Sequence, residues 1–137
     1  MARVIYLDSS VLIYAVEDAG TAGEAARAAF ATATEPLAIS ALTEMECLVG
    51  AFRRQDAELE ADYRAQFGRL ALVVIDRPVF EIAARLLAAH DVGAQHAIHW
   101  AAALSAGCSA LLTSDALFAK RAAPFAVQVR VVEPPQS

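Results

Sequence analysis

The chain has 137 residues, 58% of them hydrophobic, with a formal net charge of -5. That length and apolar content predict one domain with a real core and exclude global disorder. The acidity argues against a broad nonspecific nucleic-acid surface, which is usually basic, and an acidic groove equally suits a basic peptide.

In chain order, Arg3 to Leu7 is a β-branched apolar run without polar alternation, the pattern of a strand buried on both faces of a parallel sheet. The run is too short for the ~7–15-residue core of a signal peptide, and Asp8 closes it. Ser9 or Ser10 is placed to cap a short helix over Val11–Val16. After the break at Glu17-Asp18-Ala19-Gly20, Thr21 and Glu24 have capping-box spacing for a helix to about Ala33. Pro36 marks a turn, and Leu37–Ile39 is a short strand. Ser40 starts a helix through Arg54, with Leu42, Met45, Leu48, Val49 and Phe52 on its apolar stripe. A more polar helix runs from Asp56 to Phe67. Leu70–Ile75 is predicted as the next buried strand. Asp76-Arg77-Pro78 opens a helix to about His90.

Ala94–Ser105 is a further helix, ended by Gly107. The apolar stretch from Ala97 to Leu112 is broken by His99, Ser105, Gly107 and Ser109, and no stretch reaches the ~20 apolar residues of a membrane helix. A soluble cytoplasmic protein is the expectation. Cys47 and Cys108 lack CxxC spacing and read as small core residues. Ala110–Leu112 is a strand, Asp115 opens a helix to about Arg121, and Val127–Val132 is the last strand. The reading is a single domain over 1–132, with a loose tail over 133–137. Alternating strands and helices predict a three-layer α/β/α sandwich on a mainly parallel sheet.

Several of these runs end in acid. Asp8 follows the first strand, Ser114-Asp115 follows Ala110–Leu112, and Glu44 and Glu46 follow Leu37–Ile39. In an open parallel sheet, ligands sit in the crevice at the carboxyl ends of the strands. Carboxylates gathered there suit a hard divalent cation, and so metal-assisted hydrolysis, with phosphodiesters the leading substrate class. The simpler alternative for Asp8 and Asp115 is a helix cap. Glu44 and Glu46 are two apart and do not share a helix face. Glu46 lies beside the apolar stripe and is the better candidate.

Four segments carry a resemblance: Val4-Ile5-Tyr6-Leu7-Asp8-Ser9-Ser10-Val11-Leu12-Ile13, then Ser40-x-x-Thr43-x-x-Glu46-x-x-x-Gly50, then Ala97-Ile98-His99-Trp100-Ala101-Ala102-Ala103-Leu104, and finally Leu112-Thr113-Ser114-Asp115-Ala116-Leu117-Phe118. In this order the chain resembles a PIN domain, and within that superfamily a VapC-type toxin of a toxin–antitoxin pair. The resemblance implies a Mg²⁺- or Mn²⁺-dependent ribonuclease of tRNA or rRNA, a homodimer, and a VapB-type antitoxin whose tail blocks the groove. By position, Asp8 and Asp115 would be metal ligands, and Glu46 a ligand or the residue that orients the attacking water. Thr113, Ser9 and Ser114 would be hydroxyls orienting these acids, and His99 a hydrogen-bonding support. Arg53, Arg54, Lys120 and Arg121 are candidates for the RNA backbone, and a solvated charged face is their simplest alternative.

One position departs from the pattern. The family usually has Asp before the Ala-Ile-His stretch, and here that residue is His96. Neutral imidazole removes a negative charge, is a poor Mg²⁺ ligand and suits transition metals. A weakened or inactive site, a changed metal preference, and a His96 turned to solvent are the three readings. A PIN-fold module that binds RNA or an antitoxin without cleaving is the rival function. His96 and His99, three apart, share a helix side, but the set lacks the further ligands of a zinc site.

Overall fold

The computed structural model describes residues 3–122 in full and the backbone of 128–131. The elements are β1 (Ile5–Leu7), α1 (Ser9–Glu17), α2 (Thr21–Thr32), β2 (Leu37–Ser40), α3 (Ala41–Arg54), α4 (Ala57–Phe67), β3 (Ala71–Val73), α5 (Arg77–Ala89), α6 (Ala94–Ser105), β4 (Ala110–Thr113), α7 (Ala116–Ala122) and β5 (Gln128–Val131). The five strands form one sheet in the order β3-β2-β1-β4-β5. Every pairing is parallel, with Tyr6 opposite Ala38 on one side and Leu111 on the other. The sequence expectation of an α/β/α sandwich is met. The tail expected over 133–137 lies outside the described residues.

Alternation along the strands sorts the core into two halves. Ile5, Leu7, Ala110 and Leu112 point to a cluster with Val11, Leu12, Ala26, Cys47 and Tyr63, supplied by α1 to α4. Tyr6 and Leu111 point to the other face, where Trp100, Ala101, Val79 and Phe118 come from α5, α6 and α7. The alanines of α6 let it lie close to the sheet, and Ala97 and Ala101–Ala103 are wholly buried.

Three local expectations are corrected. Asp8, not Ser9 or Ser10, is the N-cap of α1 and accepts from the Val11 N–H at 3.4 Å. Thr21 caps nothing: Gly20 is the N-cap of α2, and the Gly23 N–H is met instead by Asp18 Oδ2 at 2.7 Å. Arg27 completes that corner by donating to the Ala15 and Asp18 carbonyls at 3.0 and 2.8 Å. β3 is not a buried strand but an edge, with Leu72 exposed on it and Val74 exposed just after it. Periodicity could not separate the two, because an apolar run reads alike at the edge and the centre of a sheet.

The apolar stripe of α3 is also divided. Thr43, Cys47 and Ala51 face the core, while Met45, Val49 and Phe52 are exposed at 58%, 40% and 54%. Small residues at the contact allow close approach to the sheet, so the large ones are left on the outer face. Cys47 and Cys108 are free and buried, and burial pushes the Cys47 thiol up to about 12, which keeps it protonated and inert. Among the described residues, no helix is long and apolar enough to cross a membrane.

Candidate active site

The strand order reverses direction between β1 and β4, the position in such sheets where a crevice opens at the carboxyl ends. Asp8 leaves β1 at this point, and Thr113-Ser114-Asp115 leave β4 beside it. The ladder continues one step past β1, with the Asp8 N–H donating to the Leu112 carbonyl at 3.2 Å.

Asp8 is nearly buried, at 2% exposure, so its carboxylate needs partners. Thr113 Oγ1 donates to Oδ2 at 2.5 Å and Ser10 Oγ donates to Oδ1 at 2.5 Å. Each of these hydroxyls also accepts from the β4 side. The Asp115 N–H donates to Thr113 Oγ1 at 3.0 Å, and the Ser114 N–H donates to Ser10 Oγ at 3.1 Å. Two hydroxyls therefore tie the ends of β1 and β4 into one unit. Of the expected hydroxyls, Thr113 contacts Asp8, Ser114 joins the network through its backbone N–H, and the second hydroxyl on Asp8 belongs to Ser10 rather than Ser9. Ser9 lines the neighbouring cleft instead.

Asp115 is more open, its side chain 40% exposed. It caps α7 by accepting from the Phe118 N–H at 3.0 Å through Oδ1. His96 Nε2 stands 3.5 Å from the other oxygen, Oδ2. The imidazole lies flat on Phe118, with centroids 4.3 Å apart and planes inclined by 2°. His96 therefore lies against Asp115 at the rim, with its side chain still 32% exposed.

Glu46 is held elsewhere on the rim. Its Oε1 lies 2.5 Å from His99 Nε2, and the His99 ring is buried. His99 Nδ1 in turn lies 2.6 Å from the Tyr6 hydroxyl, which lies 2.7 Å from Ser40 Oγ. Burial raises the Tyr6 phenol to about 12, against the lowering effect of Ser40 and Thr43. Of the two glutamates, the structure brings Glu46 against the buried His99, and this contact, not the apolar stripe, holds its side chain. α6 thus offers one histidine to each of two acids, and the two rings do not converge as a zinc pair.

The basic candidates separate clearly. Arg53 lines a cleft of about 380 Å³ with Ser9, Ile13, Met45, Glu46, Val49 and Gln95. Arg54 points away and pairs with Glu17 at 2.5 Å. Arg121 is bound to Asp91 at 3.2 Å and shares a cavity of about 190 Å³ with His96 and Asp115. Lys120 is exposed on α7.

Among the described residues, no three of His, Cys, Asp and Glu converge as a ready-made metal cluster. Thr113 links Asp8 to the Asp115 backbone, whereas Glu46 is held by His99. Mg²⁺ commonly needs only one or two carboxylates, its shell being filled by water and substrate phosphate. The hard oxygen donors of Asp8 and Asp115 fit such an ion, and His96 is the neighbour that fits it least.

Sequence inspection missed Tyr6 and Ser10. Tyr6 carries a polar tip in a strand buried on both faces, which demands a partner. Ser10 stands two residues after Asp8, the spacing of a local side-chain hydrogen bond.

A doubly wound parallel sheet with hydroxyl-braced acids at its switch point defines a class of α/β proteins with a carboxylate-bearing crevice. The PIN domain family matches residues 5–124, and the chain belongs to that family. No curated protein matches it in sequence. Solved structures share the fold at low identity. A toxin–antitoxin complex from Klebsiella pneumoniae aligns with a TM-score of 0.76 at 21% identity, over 96% of this chain and 99% of that one. VapBC2 from Rickettsia felis, bound to a promoter DNA fragment, gives 0.72 at 13% identity, over 95% and 99%. The sarcin-ricin loop cleaving toxin VapC20 of Mycobacterium tuberculosis gives 0.70 at 18% identity, over 92% and 98%.

Proposed function

We propose that this chain is the toxin of a type II toxin–antitoxin pair and acts as a divalent-metal-dependent endoribonuclease. The observation that carries the reading is the Thr113 bridge, which binds Asp8 and the Asp115 backbone at one strand switch point. Asp8 and Asp115 would hold Mg²⁺ or Mn²⁺, Asp8 fixed by Thr113 and Ser10, and Asp115 free enough to adjust. A bound divalent ion supplies Lewis-acid polarisation of the phosphodiester. Glu46, held by His99, would orient the attacking water and accept its proton. Arg53, in the cleft with Glu46, is placed to meet an RNA phosphate, and Lys120 is a second contact. Arg54 and Arg121 are engaged with Glu17 and Asp91 and drop behind them. A tRNA or rRNA substrate agrees with the sarcin-ricin loop cleaving neighbour.

For the antitoxin, the best-suited surface is a groove of about 550 Å³ between α1, α2 and α4, lined by Leu12, Val16, Phe30, Asp62 and Ala65 among others. An apolar segment lying there, followed by a basic tail, would reach the acids of the rim. The exposed Met45, Val49 and Phe52 of α3 suit a homodimer face.

The contact of His96 with Asp115 favours a second reading, a PIN module that binds RNA or antitoxin with little or no cleavage. Incubation of folded RNA with the protein in Mg²⁺, in Mn²⁺ and in EDTA separates the two. Cleavage that needs a divalent ion and vanishes in Asp8→Asn supports the nuclease. Cleavage that survives chelation contradicts it, and RNA or antitoxin binding without cleavage in either ion favours the binding module.

A further inference from the structure

The Tyr6, His99 and Glu46 side chains form a chain of short contacts leading from the core to the rim. Tyr6, Ser40, Thr43 and His99 are all buried, at 0 to 1% exposure. Each hydroxyl there has one proton to give. Ser40 is the N-cap of α3 in a capping box with Thr43, so its oxygen accepts from the helix. Among the described residues, its side-chain partner is the Tyr6 hydroxyl. If Ser40 gives its proton to Tyr6, the Tyr6 proton goes to His99 Nδ1. His99 then carries its proton on Nε2 and donates it to Glu46 Oε1. Each bond in this sequence has one proton. In the reverse sequence His99 carries its proton on Nδ1 and the Tyr6 hydroxyl donates to Ser40 Oγ, which already accepts from the helix, and among the described residues the buried Ser40 proton then meets no side-chain acceptor.

We propose that Ser40, Tyr6 and His99 form a one-way hydrogen-bond relay that locks His99 as the Nε2–H tautomer and so fixes the direction in which the Glu46 carboxyl group is held. With Oε1 committed to His99, Oε2 is the oxygen left to meet a water in the cleft that Glu46 lines. Tyr6 and His99 are then positioning residues, acting through Glu46. The role of Glu46 toward water rests on the nuclease reading above, whereas the tautomer does not.

The test is nitrogen NMR of the full chain labelled at histidine, at pH 7, with the His99 signals assigned by their loss in His99→Gln. The relay predicts an unprotonated Nδ1 and a protonated Nε2 on His99, and a mixture of tautomers in Tyr6→Phe. An imidazolium, an Nδ1–H tautomer, or an unchanged pattern in Tyr6→Phe overturns it. Kinetics then test the positioning role. Gln can offer an amide N–H where Nε2–H stood, whereas Leu fills the space without a donor. His99→Gln should keep kcat within ~10-fold of the parent and His99→Leu should lose ~100-fold or more, with KM little changed, as expected when a reacting group is misplaced. If packing alone mattered, Leu would be the better substitute, and that order overturns the positioning role. Should the parent cleave no RNA with any divalent ion, the nuclease reading falls while the nitrogen shifts still decide the relay.

Discussion

Thr113→Val removes the hydroxyl that joins Asp8 to Asp115 while keeping the side-chain volume. Thr113 and Asp8 are buried at 0% and 2% exposure, so water does not replace the lost bond. A hydrogen bond to a charged acceptor is worth about 1.5–3 kcal/mol, and the part-buried bond from the Asp115 N–H adds about 0.5–1 kcal/mol when its acceptor goes. The sum is about 2–4 kcal/mol, which for a domain of this size corresponds to a fall in Tm of about 8–15 °C. Metal affinity should weaken along with stability, because the freed Asp8 carboxylate can rotate away. Thermal unfolding followed by circular dichroism, with and without Mn²⁺, measures both. A variant with its Tm within about 2 °C of the parent and an unchanged Mn²⁺-induced shift would refute the bracing role.

Other outcomes follow from the same structure. Gly23→Ala should destabilise by about 1–3 kcal/mol despite the better helix propensity of alanine, because a Cβ there would lie 1.9 Å from the Asp18 carbonyl oxygen; chemical denaturation gives the sign. Burial alone would raise the Glu17 carboxyl, but hydrogen bonds from Tyr63 and Arg54 outweigh it and hold the pKa below the usual range. A depressed folded value means this stabilisation is present above the unfolded Glu pKa of about 4.3 and is lost as pH falls through the folded value. Glu17→Gln should therefore lie below the parent in stability at pH 7 and lose less on acidification, and parallel stability–pH curves would contradict it. Phe52→Ser should leave Tm within about 2 °C, since the ring is half-exposed, but reduce self-association in sedimentation if α3 carries the dimer face.

The backbone plan was readable because its signals are local. Apolar runs, Ser40 before α3, Asp76-Arg77-Pro78 before α5 and Gly107 after α6 each act within a few residues. Asp8 and Asp115 were readable as a pair for a similar reason: each ends a strand, and parallel strands send such ends to one rim. The partners of the acids were less accessible. His99 meets Tyr6 across 93 positions and Glu46 across 53, and neither contact leaves a periodic trace. The outward turn of Met45, Val49 and Phe52 was hidden because apolar character alone does not say which face of a helix meets the core. The exposure of β3 was hidden because strand order, not strand composition, makes an edge.

His96 is the residue on which the account turns, since it stands against Asp115 in a site otherwise built of oxygen donors. Calorimetric titration of Mg²⁺ and Mn²⁺ into the parent chain, His96→Asp and Asp8→Asn tests this most directly. The parent should bind Mg²⁺ weakly, His96→Asp should bind it tighter on the order of tenfold or more, and Asp8→Asn should lose binding. Equal heats in all three proteins would contradict a metal site at Asp8 and Asp115.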